Sequence, residues 1–245
     1  MPPPSFATRS QAREMMDDFS ITDDRLGRAL RDLQVVNRWL GGYAGTMAVL
    51  APYLRARPGH PTRILDLGTG GADFPAYLVR WAAARGLAVS VVGVDANPAT
   101  VRWARQRLDR TLPPSLRERV RLEVGDALAL EADAGCIDVA VASLFLHHFD
   151  APAAVALLRE MQRVASAGLV VNDLHRHPVA YHAIRVLAHG LPVSPMFRHD
   201  APLSVLRGFR RDELAALAAE AGLPAVRLRW RWAFRWILTT LPEQT

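Results

Sequence analysis

The sequence predicts an α/β fold: a doubly wound sheet of seven strands, mostly parallel, with a helical cap ahead of it and an insertion after the fifth strand. Three observations carry that expectation. Short β-rich runs alternate with helical stretches from Arg63 onward, a glycine turn closes the first run, and the last stretch of chain switches to a period of two.

Residues 1–9 open with a proline run and are expected to form a disordered tail, and residues 10–60 the cap. Ser10 to about Leu54 reads as helical, because Leu26, Leu30, Leu33, Val36 and Leu40 recur at three- and four-residue steps. Gly41-Gly42 should break that stretch. Residues 61–245 form the main domain. Its first five strands are Ile64–Leu67, Val89–Val94, Val120–Val124, Ile137–Ala142 and Leu169–Asn172, separated by helices over Phe74–Arg85, Ala99–Leu108 and Ala153–Val164. Residues 173–208, rich in His, Pro and Arg, interrupt the rhythm, and an insertion there suits a lid or a substrate wall. Helix Arg211–Ala221 leads into Ala225–Leu238, where apolar residues alternate mostly with arginine. That period reads as two terminal strands with a solvated arginine edge.

Composition bounds the function. Half of the 245 residues are apolar, the net charge is +6, and all thirty basic residues are arginine. The arginines are dispersed among acids and form no basic block, so nucleic acid is not the expected partner. With no bilayer-length apolar run and no leader, the expected location is the cytoplasm and no membrane partner is expected. Cys136 is the lone cysteine, which excludes an internal disulfide and a cysteine-based zinc knuckle.

The run Arg63-Ile-Leu-Asp-Leu-Gly-Thr-Gly-Gly-Ala-Asp-Phe74 is a strand, a glycine turn and a helix start. Gly68 and Gly70, with Thr69 between them, permit a tight turn at the sheet's carboxyl edge. A dinucleotide fingerprint would place a third glycine at 73, where this chain has Asp73, and Asp66 sits just before the turn. Two carboxylates repel phosphates and suit a sulfonium and an amino group, as S-adenosylmethionine presents. Asp73 also fits a helix cap. Asp95 ends the second strand, where it can accept from both ribose hydroxyls; Asp126 ends the third, placed for an adenine amino group, with Ala96 and Leu128 able to flank the ring. Each acid alone also fits a turn; three at successive strand ends, in order, fit one ligand better.

These segments (Ile64–Gly70, Val94–Pro98, Gly125–Ala127 and Asp138–Phe149) resemble the successive motifs of the class I, Rossmann-like S-adenosylmethionine-dependent methyltransferases. The resemblance covers roughly Arg63 to Asp173. It lies nearest the small-molecule branch that includes the ubiquinone and menaquinone C-methyltransferases. The N-terminal helices and Arg198–Ser204 also resemble bacterial methyltransferases that accompany type III polyketide synthases. The resemblance makes 61–245 a catalytic domain, adds Ala127 and Ser143 to the cofactor residues, and points to secondary metabolism.

The acceptor is narrowed by exclusion. Ser143-Leu-Phe-Leu146 stands where amino-directed nucleic-acid and protein enzymes carry Asn/Asp-Pro-Pro-Tyr/Phe, and Cys136 lacks the Pro-Cys setting of cytosine enzymes. An oxygen or carbon on a small molecule remains. His147 and His148, after the fourth strand, are candidate bases, though His-His-Phe there also fits packing or cofactor contact. Arg176 and His175 are expected to face substrate, and His199, oriented by Asp200, offers a second acid–base pair whose alternative is a surface turn. Asp173, His175 and His177 alternate like metal ligands, but a partner acid after the fourth strand is missing, so no metal is expected. Trp39, Tyr43, Tyr181, Met196 and Phe197 suggest a wall for an aromatic or polyketide-like acceptor, although such residues also make ordinary core. The expected activity is O-methylation of a phenolic acceptor. C-methylation of a quinol ring, an RNA methyltransferase, a non-catalytic binding protein and a homodimer stay open.

Overall fold

The computed structural model describes residues 4–243. A 3-10 turn at Met15–Asp17 precedes α1 (Asp24–Trp39) and α2 (Gly42–Arg55). There follow β1 (Thr62–Leu67), α3 (Asp73–Ala83), β2 (Val89–Asp95), α4 (Pro98–Thr111), α5 (Pro114–Arg117), β3 (Val120–Val124) and β4 (Ile137–Ser143). After a 3-10 turn at Leu146–His148 come α6 (Ala151–Val164), β5 (Ala165–Leu174), α7 (Pro178–Gly190), α8 (Pro195–Arg207), α9 (Arg211–Glu220), β6 (Arg227–Arg231) and β7 (Arg235–Thr239).

The strands form one sheet in the order β3-β2-β1-β4-β5-β7-β6. β1 to β5 are parallel, and β7 runs antiparallel to both β5 and β6. The order grows outward in both directions from β1 and β4, so their carboxyl ends form the crevice where such sheets bind ligands. Successive residues of a strand point to opposite faces. Ile64, Val139 and Val141 therefore pack under α2, α3 and α4, while Leu65, Ala140 and Ala142 pack against α6 and α9. Covering both faces explains the near-continuous apolar run of β4. Each fully buried Leu or Val contributes about 1.5–3 kcal/mol. Helix starts sit just past the crevice. Asn97 caps α4 by accepting from Ala99 N at 2.9 Å, and Asp150 caps α6 by accepting from Ala153 N at 3.0 Å.

Three sequence expectations need correction. Residues 10–23 are not helical: beyond the turn at Met15–Asp17 they form an irregular strap, and the chain becomes helical only where Asp23 caps α1 by accepting from Arg25 N. The strap is fixed by a side chain far along the chain, since Asp200 accepts from Met15 N at 2.8 Å and Met16 N at 3.1 Å. The expected disordered tail gives way within the described residues. Phe6 O accepts from Arg176 and Arg210, and Arg9 donates to the carbonyls of Arg207, His147 and Phe149; residues 1–3 lie outside them. The arginine edge holds for β6 but not for Arg235, which is buried and donates to Leu40 O.

Gly41-Gly42 does interrupt the N-terminal helices. Gly41 adopts a left-handed φ of 81°, and a Cβ there would lie 2.3 Å from Trp232 O, so the break lets the β6–β7 turn approach. Residues 173–208 are largely two helices, α7 and α8, packed through Ile184, Ala188, Phe197 and Val205.

Candidate active site

The carboxyl ends of β1 to β4 open into a cavity of about 550 Å³. The side expected to hold the cofactor starts at the glycine turn. Gly68 has φ +64°, and a Cβ there would lie 2.2 Å from the Phe145 ring, so the turn requires glycine. Gly70 N donates to Asp95 Oδ2 at 3.0 Å and Asn97 N to Asp95 Oδ1 at 3.0 Å. The donor that a phosphate-binding loop would turn to its ligand is thus taken by the chain's own carboxylate. Thr69 donates to Asp66 Oδ2 at 2.7 Å, and Tyr43 donates its hydroxyl to Asp73 Oδ2 at 2.7 Å. Asp73 stands in the first turn of α3 rather than at its cap, which is Ala72, so the capping expectation is corrected.

Asp66 is buried and Asp73 and Asp95 are half-buried, and none makes a salt bridge among the described residues. Burial pushes each carboxyl up, and for Asp66 the neighbouring Asp73 and Asp95 charges add to it, to about 7. Arg107, the cation acting on Asp73, is itself held down by burial. An acidic pocket short of cations fits a ligand bearing a sulfonium and an ammonium, and would repel a pyrophosphate. Asp126 lines the same cavity and accepts from Leu128 N at 2.9 Å.

The side expected to face the acceptor comes from three distant stretches. The strap supplies Glu14, Met16 and Asp17; α1 and its C-cap supply Leu33, Val36 and Leu40; and the α7–α8 pair supplies Ile184, Leu187 and Phe197. The two histidines sit where these meet the sheet, with ring centroids 4.4 Å apart. They differ sharply. His147 is 2 % exposed, with Nδ1 2.7 Å from Asp173 Oδ1 and Nε2 3.5 Å from Glu14 Oε1. Burial favours its neutral form, but the Asp173 and Glu14 carboxylates outweigh that and push its pKa up to about 9. Glu14 is pushed up by burial and held low, on balance, by His147. His148 is half-buried on the cavity wall, with Nδ1 2.7 Å from Asp17 Oδ1. Asp17 also accepts from Arg207 Nη1 at 2.8 Å. Burial would raise the Asp17 carboxyl, yet His148 and Arg207 together hold it well below the usual carboxylate range.

The ten residues expected around the cofactor (Asp66, Gly68, Thr69, Gly70, Asp73, Asp95, Ala96, Asp126, Ala127 and Ser143) all line the cavity. Of the expected acceptor-side residues, His147, His148, Tyr43 and Phe197 line it too. The others do not. Arg176 is a buried clamp: it pairs with Glu213 through 2.6 and 2.9 Å contacts and donates to Gly208 O, Phe6 O and Ala7 O. His199 is exposed and bonds Asp200 from outside, while Asp200 spends its oxygens on the strap. Trp39 is 73 % exposed, and Met196 packs with Ile21, Leu26 and Leu30. Tyr181 meets Phe6 edge-on, and His175 accepts from Trp230 Nε1 among the rings of His177, Phe234 and Trp236. Sequence reasoning missed Glu14, Asp17, Arg207 and Arg235. No local pattern marks them, since each acts on partners far away in the chain.

A family profile described as a methyltransferase domain matches residues 64–168. The demethylmenaquinone methyltransferase of Roseiflexus castenholzii is 32 % identical over 186 residues, covering 71 % of this chain and 73 % of the relative. Solved structures share the fold at lower identity. A SAM-dependent methyltransferase from Aquifex aeolicus superposes with TM-score 0.57 at 13 % identity, covering 86 % of this chain and 95 % of that one. The magnesium protoporphyrin IX methyltransferase of Synechocystis, solved with SAM bound, gives 0.59 at 16 % identity over 96 % of this chain and 100 % of that one. The O-methyltransferase NcsB1 from neocarzinostatin biosynthesis gives 0.59 at 23 % identity over 92 % of this chain and 58 % of that one. With the sheet order, the acidic glycine turn and these relatives in agreement, the chain belongs to the class I S-adenosylmethionine-dependent methyltransferases.

Proposed function

We propose that the enzyme methylates the phenolic oxygen of a small aromatic acceptor, with His148 removing the hydroxyl proton. The observation that carries this is the His148–Asp17 pair on the cavity wall. A carboxylate on Nδ1 fixes the ring and its tautomer, leaving Nε2 as the basic nitrogen. His147 is unsuited to the task, because it is enclosed by two carboxylates and retains its proton to about 9. Its role is to hold the strap against the sheet. Asp66, Asp73, Asp95 and Asp126 would hold the S-adenosylmethionine, which supplies a methyl group already activated on a sulfonium. What the chain adds is alignment, exclusion of water beneath the strap, and a place for the proton. On this reading residues 10–60 and 173–208 wall the acceptor, and 61–245 form the catalytic domain.

The Roseiflexus relative, named for a quinone acceptor, favours a second reading. The same proton removal would activate a quinol ring, with the new bond formed at carbon instead of oxygen. One experiment separates the two. The purified protein is incubated with S-adenosylmethionine and a panel of phenols, hydroxynaphthalenes and quinols, and products are read by mass and proton NMR. A methoxy signal with every ring proton retained is the expected result. Loss of a ring proton would move the assignment to carbon, and no methylated product from any member would refute both.

A further inference from the structure

We propose that the mouth of the cavity docks on an anionic lipid surface, with Trp39, Trp232 and the apolar side of α7 entering the interface and the surrounding arginines meeting lipid phosphates. The first observation concerns where apolar side chains are left in solvent. Eleven large hydrophobic residues are exposed among the described residues, and eight of them lie on α1, on α7 and its C-cap, or on the β6–β7 hairpin. Those same three elements frame the acceptor side of the cavity. Leu187 and Trp232 belong to both sets, lining the cavity and standing exposed, which puts the patch at its mouth. Trp39 is carried there by the end of α1, where Arg235 donates to Leu40 O and Gly41 abuts the Trp232 carbonyl.

Helix α7 is unusual in its own right. It carries Arg185 as its one Arg or acid, yet only Ile184 and Ala188 are buried, and Val186 is 72 % exposed. An apolar helix lying on a surface needs a cover, since contiguous exposed apolar patches mark interaction sites. On α1, Arg31, Val35 and Trp39 follow at four-residue steps, so one exposed face mixes arginine with apolar and aromatic groups. That is the composition of an interfacial surface, with Trp at headgroup depth and Arg beside phosphate.

The second observation is charge, and it selects the occupant. The three elements hold nine of the thirty arginines and only two of the twenty-four acids, so the elements that frame the mouth are strongly basic. Some of those arginines are engaged: Arg25 with Asp23, Arg227 and Arg229 with Glu243, and Arg235 in the interior. Arg31, Arg38 and Arg231 are exposed and make no salt bridge among the described residues. A second copy would set like charges face to face across a two-fold axis. An anionic bilayer surface offers the opposite sign. No helix of the described residues is long and apolar enough to cross a membrane, so the attachment is peripheral. Docking in this pose seals the mouth from water and leaves the cofactor side, at the strand ends, out of the contact.

The test uses the full chain and needs no acceptor, so its failure is distinct from a failure of the phenol assignment. Cosedimentation is measured with vesicles of phosphatidylcholine alone and with vesicles containing phosphatidylglycerol. Binding to the anionic vesicles only, weakening as salt shortens the screening length, is expected. Arg31→Gln and Arg38→Gln should each weaken that partitioning about fivefold. Trp39→Ser combined with Val186→Ser should weaken it further, while the affinity for S-adenosylhomocysteine stays unchanged and certifies the fold. Absence of binding to the anionic vesicles would overturn the proposal. So would a dimer in sedimentation velocity that Trp39→Ser dissociates, because the patch would then belong to a second copy.

Discussion

The two sides of the cavity are built by opposite means. On the cofactor side, most contacts join residues close in sequence or on adjacent strand ends, as Thr69 to Asp66, Gly70 to Asp95 and Leu128 to Asp126 do, with Tyr43 reaching Asp73 from α2. On the acceptor side, the working pairs span the chain. His148 meets Asp17, Asp17 meets Arg207, and Asp200 holds the strap at Met15 and Met16. The first half is organised by the sheet itself; the second depends on a strap that has almost no secondary structure and is held mainly by side chains, with a backbone bond from Ser10 N to Leu206 O at 3.0 Å. The cofactor side should therefore survive changes that cripple the acceptor side, and the reverse should hold for changes at the strand ends.

The largest expected effect on stability tests the segment that leads into the strap. Arg176 is buried and ties Glu213, Gly208 O, Phe6 O and Ala7 O together. Arg176→Met leaves Glu213 without its cation and Gly208 O and Ala7 O without their donor, which should cost about 3 kcal/mol, read as a lower midpoint in denaturant. Binding of S-adenosylhomocysteine to the folded fraction should be unaffected. A loss of that binding would show that the two sides are not separable.

The next effect is on the other side. Asp95→Ala removes the acceptor for Gly70 N and Asn97 N, as well as a carboxylate proposed to hold the ligand. Losing hydrogen bonds to a charged group costs about 1.5–3 kcal/mol, so calorimetric titration should show affinity falling between about tenfold and a hundredfold. The midpoint in denaturant should move less than in Arg176→Met.

The smallest effects are those of pH, where cofactor affinity and the hold on the strap move in opposite directions. Asp66 has its folded pKa raised to about 7, so its contribution to stability is present below its ordinary value of 3.8 and is lost as pH rises through about 7. A cationic ligand favours the ionised carboxyl, so S-adenosylhomocysteine, which retains an ammonium, should bind more tightly as pH rises through about 7. His147 has its folded pKa raised from 6.5 to about 9. Its contribution is fully present below 6.5 and is lost as pH rises through about 9. The strap should therefore loosen between pH 7 and 9, read as faster proteolysis near Glu14, while cofactor affinity is still at its maximum.

The same division explains why one side of the cavity is legible in the sequence and the other is not. Strand ends, glycine turns and caps act over a few residues, so Asp66, Asp95 and Asp126 announce themselves by position, and the alternation of strands and helices announces the sheet. The strap does not. Residues 10–23 carry Met and acidic residues that pass for a helix, and nothing local shows that Glu14 will face His147 or that Asp17 will orient His148. Arg176 and His199 look chemically able in the sequence, yet the first is consumed by the fold and the second points outward. Arg235 sits in an alternating arginine run and is the one member taken inside, because β7 lies between β5 and β6 while β6 is the edge.

The central claim is that His148, oriented by Asp17, serves the acceptor and not the cofactor. It is tested most directly by single-turnover methylation with His148→Gln, on the acceptor that the panel identifies, alongside titration with S-adenosylhomocysteine. General base catalysis is worth roughly 10²- to 10⁴-fold, so the chemical step should slow by about a thousandfold with cofactor affinity unchanged. A variant that turns over at the wild-type rate, or one that loses the cofactor instead, would contradict it.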